Sequence, residues 1–234
     1  MKRAPRSDPG PTSWDFGVEL EPDANGLVAL GADLEPATLL AAYQRGLFPM
    51  NVDSTGTHLG WWSPDPRGVL EPSAFRVRRS MERALQRFTV LVDHDFRAVM
   101  TACMETPRPN GWITQRFLDA YVTLFEMGWA HSVGVYQDGQ LVGGVYGVSV
   151  GGLFAGESMF HRVSEASKVA LWGVIEVLRD SPEVVFDVQW LTPHLAFMGG
   201  TEIERLNYLD RLWTAVRAPD PFDRYEPGAS LLER

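Results

Sequence analysis

The chain has almost no cysteine: among its 234 residues Cys103 stands alone. A disulfide framework and a thiolate metal site are thereby excluded, and a reducing, cytoplasmic setting is expected. Long apolar runs are missing too. No segment approaches the ~18 consecutive apolar residues of a membrane span, so no membrane partner is expected. The first ten residues carry Lys2, Arg3 and Arg6 with no apolar stretch behind them. They do not read as a signal peptide, and residues 1–13 are expected to form a disordered lead-in. Positive charge is scarce, with 21 Lys and Arg against 30 Asp and Glu and a net charge of −9. That balance argues against sequence-independent nucleic-acid binding over the whole surface.

What is present is ordinary for a globular chain. The hydrophobic fraction is 45% and the charged fraction 22%, enough for one large domain or one with a smaller companion. One basic patch breaks the acidic background: Arg76, Arg78, Arg79, Arg83 and Arg87 fall within twelve residues. Such a patch serves either as a solvated helix face or as a seat for phosphates.

Residues 14–72 are rich in Trp, Pro and Gly and read as a small N-terminal domain. Within it, residues 36–43 form a short helix with Pro36 in its first turn and Gly46 closing it. Of the adjacent Trp61 and Trp62, one is expected in the core and the other along a surface groove. Residues 73–234 read as a second domain. Helices are expected over 73–87, 95–104, 114–127 and 164–179, the last capped by Ser164. Strands are expected over 88–92, 130–136, 140–148, 153–160 and 184–191, with hairpin turns at Asp138-Gly139 and Gly151-Gly152. Residues 107–111 read as a loop. From Phe88 onward the order is β-α-α-β-β-β-α-β. It resembles the GNAT-type acyltransferase fold, an α+β architecture with a mixed, largely antiparallel sheet flanked by helices.

Two pieces of chemistry lie in this second half. Glu157 and Ser158 interrupt an apolar run at 154–160, and Asp187 and Gln189 interrupt the strand at 184–191. Strand side chains alternate faces, so Asp187 and Gln189 are expected on one face, about 6.6 Å apart. Val184, Phe186, Val188 and Trp190 are then expected on the other, as core. A polar face must be satisfied, since each unmet buried group costs roughly 1–3 kcal/mol. An internal hydrogen-bond network and the wall of an active site both meet that requirement.

An ordered series of short runs carries a more specific resemblance: residues 25–31 (NGLVALG), 42–46 (AYQRG), 61–67 (WWSPDPR), 112–114 (WIT), 128–133 (GWAHSV), 141–148 (LVGGVYGV), 156–160 (GESMF), 166–168 (ASK) and 187–189 (DVQ). Together they resemble the leucyl/phenylalanyl-tRNA–protein transferase family from about residue 25 to residue 212. The resemblance implies a cytoplasmic, monomeric enzyme that uses neither metal nor coenzyme. It would move leucine or phenylalanine from Leu-tRNA or Phe-tRNA to proteins with N-terminal Arg or Lys, creating a degradation signal.

By the same resemblance, Asp187 and Gln189 are the catalytic pair, the carboxylate polarising an amide that orients the attacking amine. Glu157 receives the basic N-terminal side chain, as a carboxylate suits. Val145, Phe154, Met159 and Leu171 form the pocket for the donor's side chain, and Trp112 and Tyr121 stack on the terminal adenosine. The arginine patch becomes the tRNA backbone site. Met50 stands where the family usually has Trp, Val188 where many members have Cys, and Glu204 where many have Pro. Two other readings compete. An acyl-CoA N-acyltransferase would need glycines for pyrophosphate at 161–166, where HRVSEA has none. A non-catalytic reader of basic N-termini would need Glu157 but not Asp187 or Gln189.

Overall fold

The computed structural model describes residues 5–17, 21–53, 58–107 and 111–232. In chain order its elements are β1 (Leu27–Leu30), α1 (Pro36–Tyr43), β2 (Phe48–Asn51), β3 (Leu59–Trp62), β4 (Arg67–Val69), α2 (Arg79–Leu85), β5 (Thr89–Val92), α3 (Phe96–Glu105), α4 (Gln115–Glu126), β6 (Ala130–Gln137), β7 (Gln140–Val150), β8 (Leu153–His161), α5 (Ala166–Leu178), β9 (Val185–Gln189), α6 (Pro193–Met198), β10 (Thr201–Ile203), α7 (Arg205–Ala215) and β11 (Ala229–Ser230). Among the described residues no helix is long and apolar enough to cross a membrane.

The architecture is mixed α+β. A three-stranded sheet, β1-β3-β2, lies beside an eight-stranded sheet of order β10-β4-β9-β8-β7-β6-β5-β11. From β5 to β9 the element order is the one read from the sequence. Period-2 alternation on β7 explains how the sheet gains two apolar faces: Val145 enters the core under α5, and Tyr146 enters the opposite core beside α3 and α4. One face of α4 buries Phe117, Leu118, Tyr121 and Leu124 at helical spacing. Asp95 caps α3 by accepting from the Ala98 N–H at 2.9 Å.

Several expectations need correction. The basic helix starts at Arg79, not at residue 73, so Arg76 and Arg78 lie on the non-helical approach to it. Glu165, in a left-handed conformation, occupies the N-cap of α5 in place of Ser164. The lead-in expected to lack order is tethered where it is described. Ser7 N–H donates to Met127 O at 3.0 Å, and Arg6 donates to Gly128 O at 2.9 Å and pairs with Asp220. Residues 1–4, and residues 108–110 of the expected loop, lie outside the described residues.

The feature that makes a site possible is a split between two neighbouring strands. β8 and β9 run parallel, joined by α5, but they pair only from Leu153 with Val185 to Ala155 with Asp187. Beyond Ala155, β8 stays with β7 through His161, whereas β9 pairs with β4. A cleft opens between them.

Candidate active site

The cleft has a volume of about 560 Å³, and its walls come from both diverging strands. β8 contributes Glu157, Ser158 and Met159. β9 and the residues after it contribute Phe186, Val188, Gln189 and Trp190, and α6 closes one end with His194 and Leu195.

Two bulges aim the polar groups. On β8, Ser158 pairs with Tyr146 and Gly156 with Gly147, so Glu157 is the extra residue and faces no residue across that ladder. Its carboxylate accepts from the Tyr43 hydroxyl at 2.7 Å and from the Tyr121 hydroxyl at 3.2 Å. On β9, Asp187 pairs with Val69 and Gln189 with Gly68, which leaves Val188 as the extra residue. Gln189 then adopts φ of 58°, a left-handed conformation that costs a non-glycine residue energy and persists only when its surroundings impose it. Here Asp187 imposes it, because its Oδ1 accepts from the Gln189 backbone N–H at 2.9 Å. Gly68 permits the close approach of β4. A Cβ there would lie 2.9 Å from Leu191 N and 3.0 Å from Trp190 C.

The expected shared face of Asp187 and Gln189 is therefore corrected. Gln189 lines the cleft, but Asp187 is 1% exposed and turned away from it. The Asp187 carboxylate takes a bidentate bond from Arg67, Nε to Oδ1 at 2.8 Å and Nη2 to Oδ2 at 2.6 Å, and a third from the Tyr208 hydroxyl at 2.9 Å. Arg67 is itself 1% exposed. It also donates to Gly46 O at 2.9 Å and lies over the rings of Tyr208 and Phe48. Burial, the largest single influence, would lower the Arg67 pKa, but the Asp187 carboxylate together with Tyr208 and Glu157 outweighs it and holds the guanidinium above its ordinary range. Asp187 thus acts on Gln189 through the backbone, without touching its side-chain amide.

The remaining candidates divide. Val145, Met159 and Leu171 line the cleft, and Phe186 and Val188, expected as plain core, line it with them. Phe154 does not: it is fully buried against Phe186 and Phe222. Tyr121 is 0% exposed and hydrogen-bonded to Tyr43 and Glu157, which corrects its expected place under an adenine. Trp112 is half-buried, edge-on to Phe117, and outside the residues that line the cleft. Trp190, expected in the core, is 38% exposed at the cleft, with its ring 6.0 Å from that of Trp62. Trp61 is the buried member of the tryptophan pair.

Glu157 has the chemistry to receive a cation. Burial pushes its carboxyl up to about 8, and the nearby Asp187 carboxylate adds to this. The Tyr43 and Tyr121 hydroxyls and the Arg67 charge oppose it. A cation brought into the cleft would ionise it. The five arginines of the basic patch are all exposed, and none is in an ion pair among the described residues. Arg78 stacks on Phe197 of α6, 3.9 Å from the ring centroid, so the patch adjoins the helix that closes the cleft. Among the described residues no group of His, Cys, Asp and Glu is placed to hold a metal.

Sequence reasoning missed Arg67, Tyr43, Tyr208, Trp190 and His194. Arg67 left a signal: a lone cation closing a run of Trp and Pro, WWSPDPR, is poorly placed for solvent.

The pattern of the leucyl/phenylalanyl-tRNA protein transferase family matches residues 69–213, and that of the same family's N-terminal domain matches residues 32–65. A protein of Burkholderia cenocepacia named leucyl/phenylalanyl-tRNA–protein transferase is 45% identical over 205 residues, covering 84% of this chain and 80% of its own. Proteins of the same name from Edwardsiella ictaluri and Klebsiella pneumoniae are 46% and 47% identical, each over 192 residues and 81% of this chain.

Proposed function

The chain belongs to the leucyl/phenylalanyl-tRNA–protein transferase family, and from that premise we propose how its cleft moves an aminoacyl group from tRNA to a protein N-terminus. It is an aminoacyltransferase that takes leucyl- or phenylalanyl-tRNA as donor and a protein as acceptor. The acceptors are proteins that begin with Arg or Lys, and the product is a degradation signal. The enzyme works in the cytoplasm as a monomer. Its GNAT-like catalytic domain covers residues 73–234. The small N-terminal domain, residues 14–72, lends it β4 and with that strand Arg67.

One observation carries this reading. The Nε2 of Gln189 is buried without a hydrogen-bond partner among the described residues, in the cleft that also holds Glu157. A donor left unmet in this way costs roughly 1–3 kcal/mol, which the carbonyl oxygen of the reacting ester would recover as it gains charge during transfer. Glu157 takes the guanidinium or ammonium of the acceptor's first residue. That places the α-amine near Gln189, whose carbonyl oxygen accepts one N–H bond and turns the nitrogen lone pair onto the ester carbonyl. An amide is too weak a base to remove the proton, so the role is orientation. The α-amine has an ordinary pKa near 7.7–8.0, and a useful share is neutral already. A C–N bond forms, the C–O bond to the ribose breaks, and the departing ribose oxygen takes the proton.

The donor's side chain enters the apolar end, against Val145, Met159, Leu171, Phe186 and Val188. Trp190, with Trp62 behind it, replaces Tyr121 as the surface for the adenine. Phosphates of the acceptor stem follow Arg76, Arg78, Arg79, Arg83 and Arg87.

Radiolabelled leucyl-tRNA tests the assignment. Label is expected on a peptide that begins with Arg and not on one that begins with Asp. Equal labelling of both, or of neither, contradicts it. With Arg79→Glu and Arg83→Glu together, charged-tRNA binding should weaken and its log–log salt slope fall by about 2. An unchanged slope removes those arginines from the interface.

A further inference from the structure

The cleft holds a second unmet polar atom that the chemistry above does not use. The Nε2 of His194 is buried with no hydrogen-bond partner among the described residues, and His194 lines the cleft five positions after Gln189. Its placement is built. Thr192 caps α6 by accepting from the Leu195 N–H at 3.2 Å, and Pro193 occupies the first turn. The ring is thus carried on a capped turn.

We propose that the His194 imidazole accepts a hydrogen bond from the ribose hydroxyl next to the ester on the terminal adenosine, fixing the donor's sugar beside Gln189. This rests on the placement of the aminoacyl end in this cleft.

Two features favour that ligand atom. First, the imidazole is held neutral, so one ring nitrogen is an acceptor. Burial pushes its pKa below the ordinary range, Lys168 and His161 add to this, and Glu165 opposes it. Second, the donor offers two hydrogen-bond donors close to the reacting carbonyl, the ribose hydroxyl and the aminoacyl nitrogen. When protonated, that nitrogen is a cation. Lys168 already brings positive charge to this end of the cleft, where its Nζ donates to Glu165 at 2.7 Å. A neutral hydroxyl meets no such repulsion.

The test is titration calorimetry on the full chain with two stable analogues, leucine joined through an amide to the 3′-position of adenosine and the same compound without its 2′-hydroxyl. The wild type should bind the hydroxyl compound roughly 5–10-fold more tightly. His194→Ala should bind both alike, at the affinity the wild type shows for the deoxy compound, and His194→Gln should keep part of the preference. A preference that survives in His194→Ala, or is missing in the wild type, overturns the proposal. So does a loss of deoxy-compound binding in His194→Ala, which would mark His194 as packing only. If the wild type binds neither compound, the placement of the donor in this cleft falls as well.

Discussion

Arg67→Met should lower the free energy of unfolding by about 3–5 kcal/mol and slow leucine transfer at least ~100-fold. The reason lies in what the substitution strands. Asp187 is 1% exposed, and among the described residues Arg67 supplies two of its four hydrogen bonds, the Tyr208 hydroxyl and the Gln189 N–H being the others. Without the guanidinium, a carboxylate remains in the interior with no cation, a loss far larger than that of an exposed ion pair. The loss of activity has a separate origin: Asp187 holds the left-handed Gln189, and a carboxylate that protonates or turns releases that conformation. The double variant Arg67→Met with Asp187→Leu separates the two effects. Apolar replacement of a whole buried pair is often near neutral, so denaturant melts should recover most of the stability. Transfer should not recover, because nothing then holds the Gln189 N–H. A stability loss below about 1 kcal/mol in Arg67→Met, or activity restored in the double variant, would show that the pair does not brace the site.

Glu157→Gln should lower kcat/KM for an acceptor that begins with Arg by at least about 30-fold, the penalty of truncating one partner of a buried charge pair. The pH dependence is more diagnostic. The carboxyl is pushed from its ordinary 4.5 to about 8, mainly by burial. Between those values the folded chain holds a proton that the unfolded chain has released. The contribution of this group to stability is therefore complete below about pH 4.5 and is lost as pH rises through 8. Glu157→Gln should flatten that decline. Cation binding needs the ionised form, so affinity should move the other way and rise roughly tenfold per pH unit from pH 6 toward 8. A peptide whose N-terminal Arg lacks its α-amine excludes the titration of the amine itself. In buffers of different ionisation heat, its binding at pH 7 should release close to one proton. A pH-independent affinity would mean that Glu157 does not receive the cation.

The order of elements from β5 to β9 is legible because it rests on local signals: helical spacing on α4, and β-rich runs bounded by Asp138-Gly139 and Gly151-Gly152. The helix at Pro36–Tyr43 was read to its ends because proline and glycine mark both. The site was legible in its residue types but not in its directions. The alternation rule put Asp187 with Gln189, and the bulge at Val188 with the positive φ at Gln189 undid it. Beyond the same bulge Trp190 leaves its presumed core place for the cleft, whereas Phe186 and Val188 are core as expected and also line the cleft. The resemblance puts Tyr121 under a base, and nothing local in the sequence shows that its hydroxyl meets Glu157, 36 positions away. Tyr43 lies 114 positions from Glu157, and Arg67 lies 120 from Asp187. Contacts at that range exist only after the sheet is assembled. Glu157 was found through its motif, yet its position as the extra residue of a bulge left no mark in the sequence.

Single-turnover transfer by Gln189→Ala, with leucyl-tRNA and an Arg-initiated peptide both saturating, tests the orienting role directly. The rate of the chemical step should fall at least ~100-fold while the dissociation constants of donor and acceptor stay within about threefold of wild type, since orientation is realised at the reacting atoms and not in ground-state binding. A Gln189→Ala enzyme that transfers leucine at the wild-type rate would contradict the account.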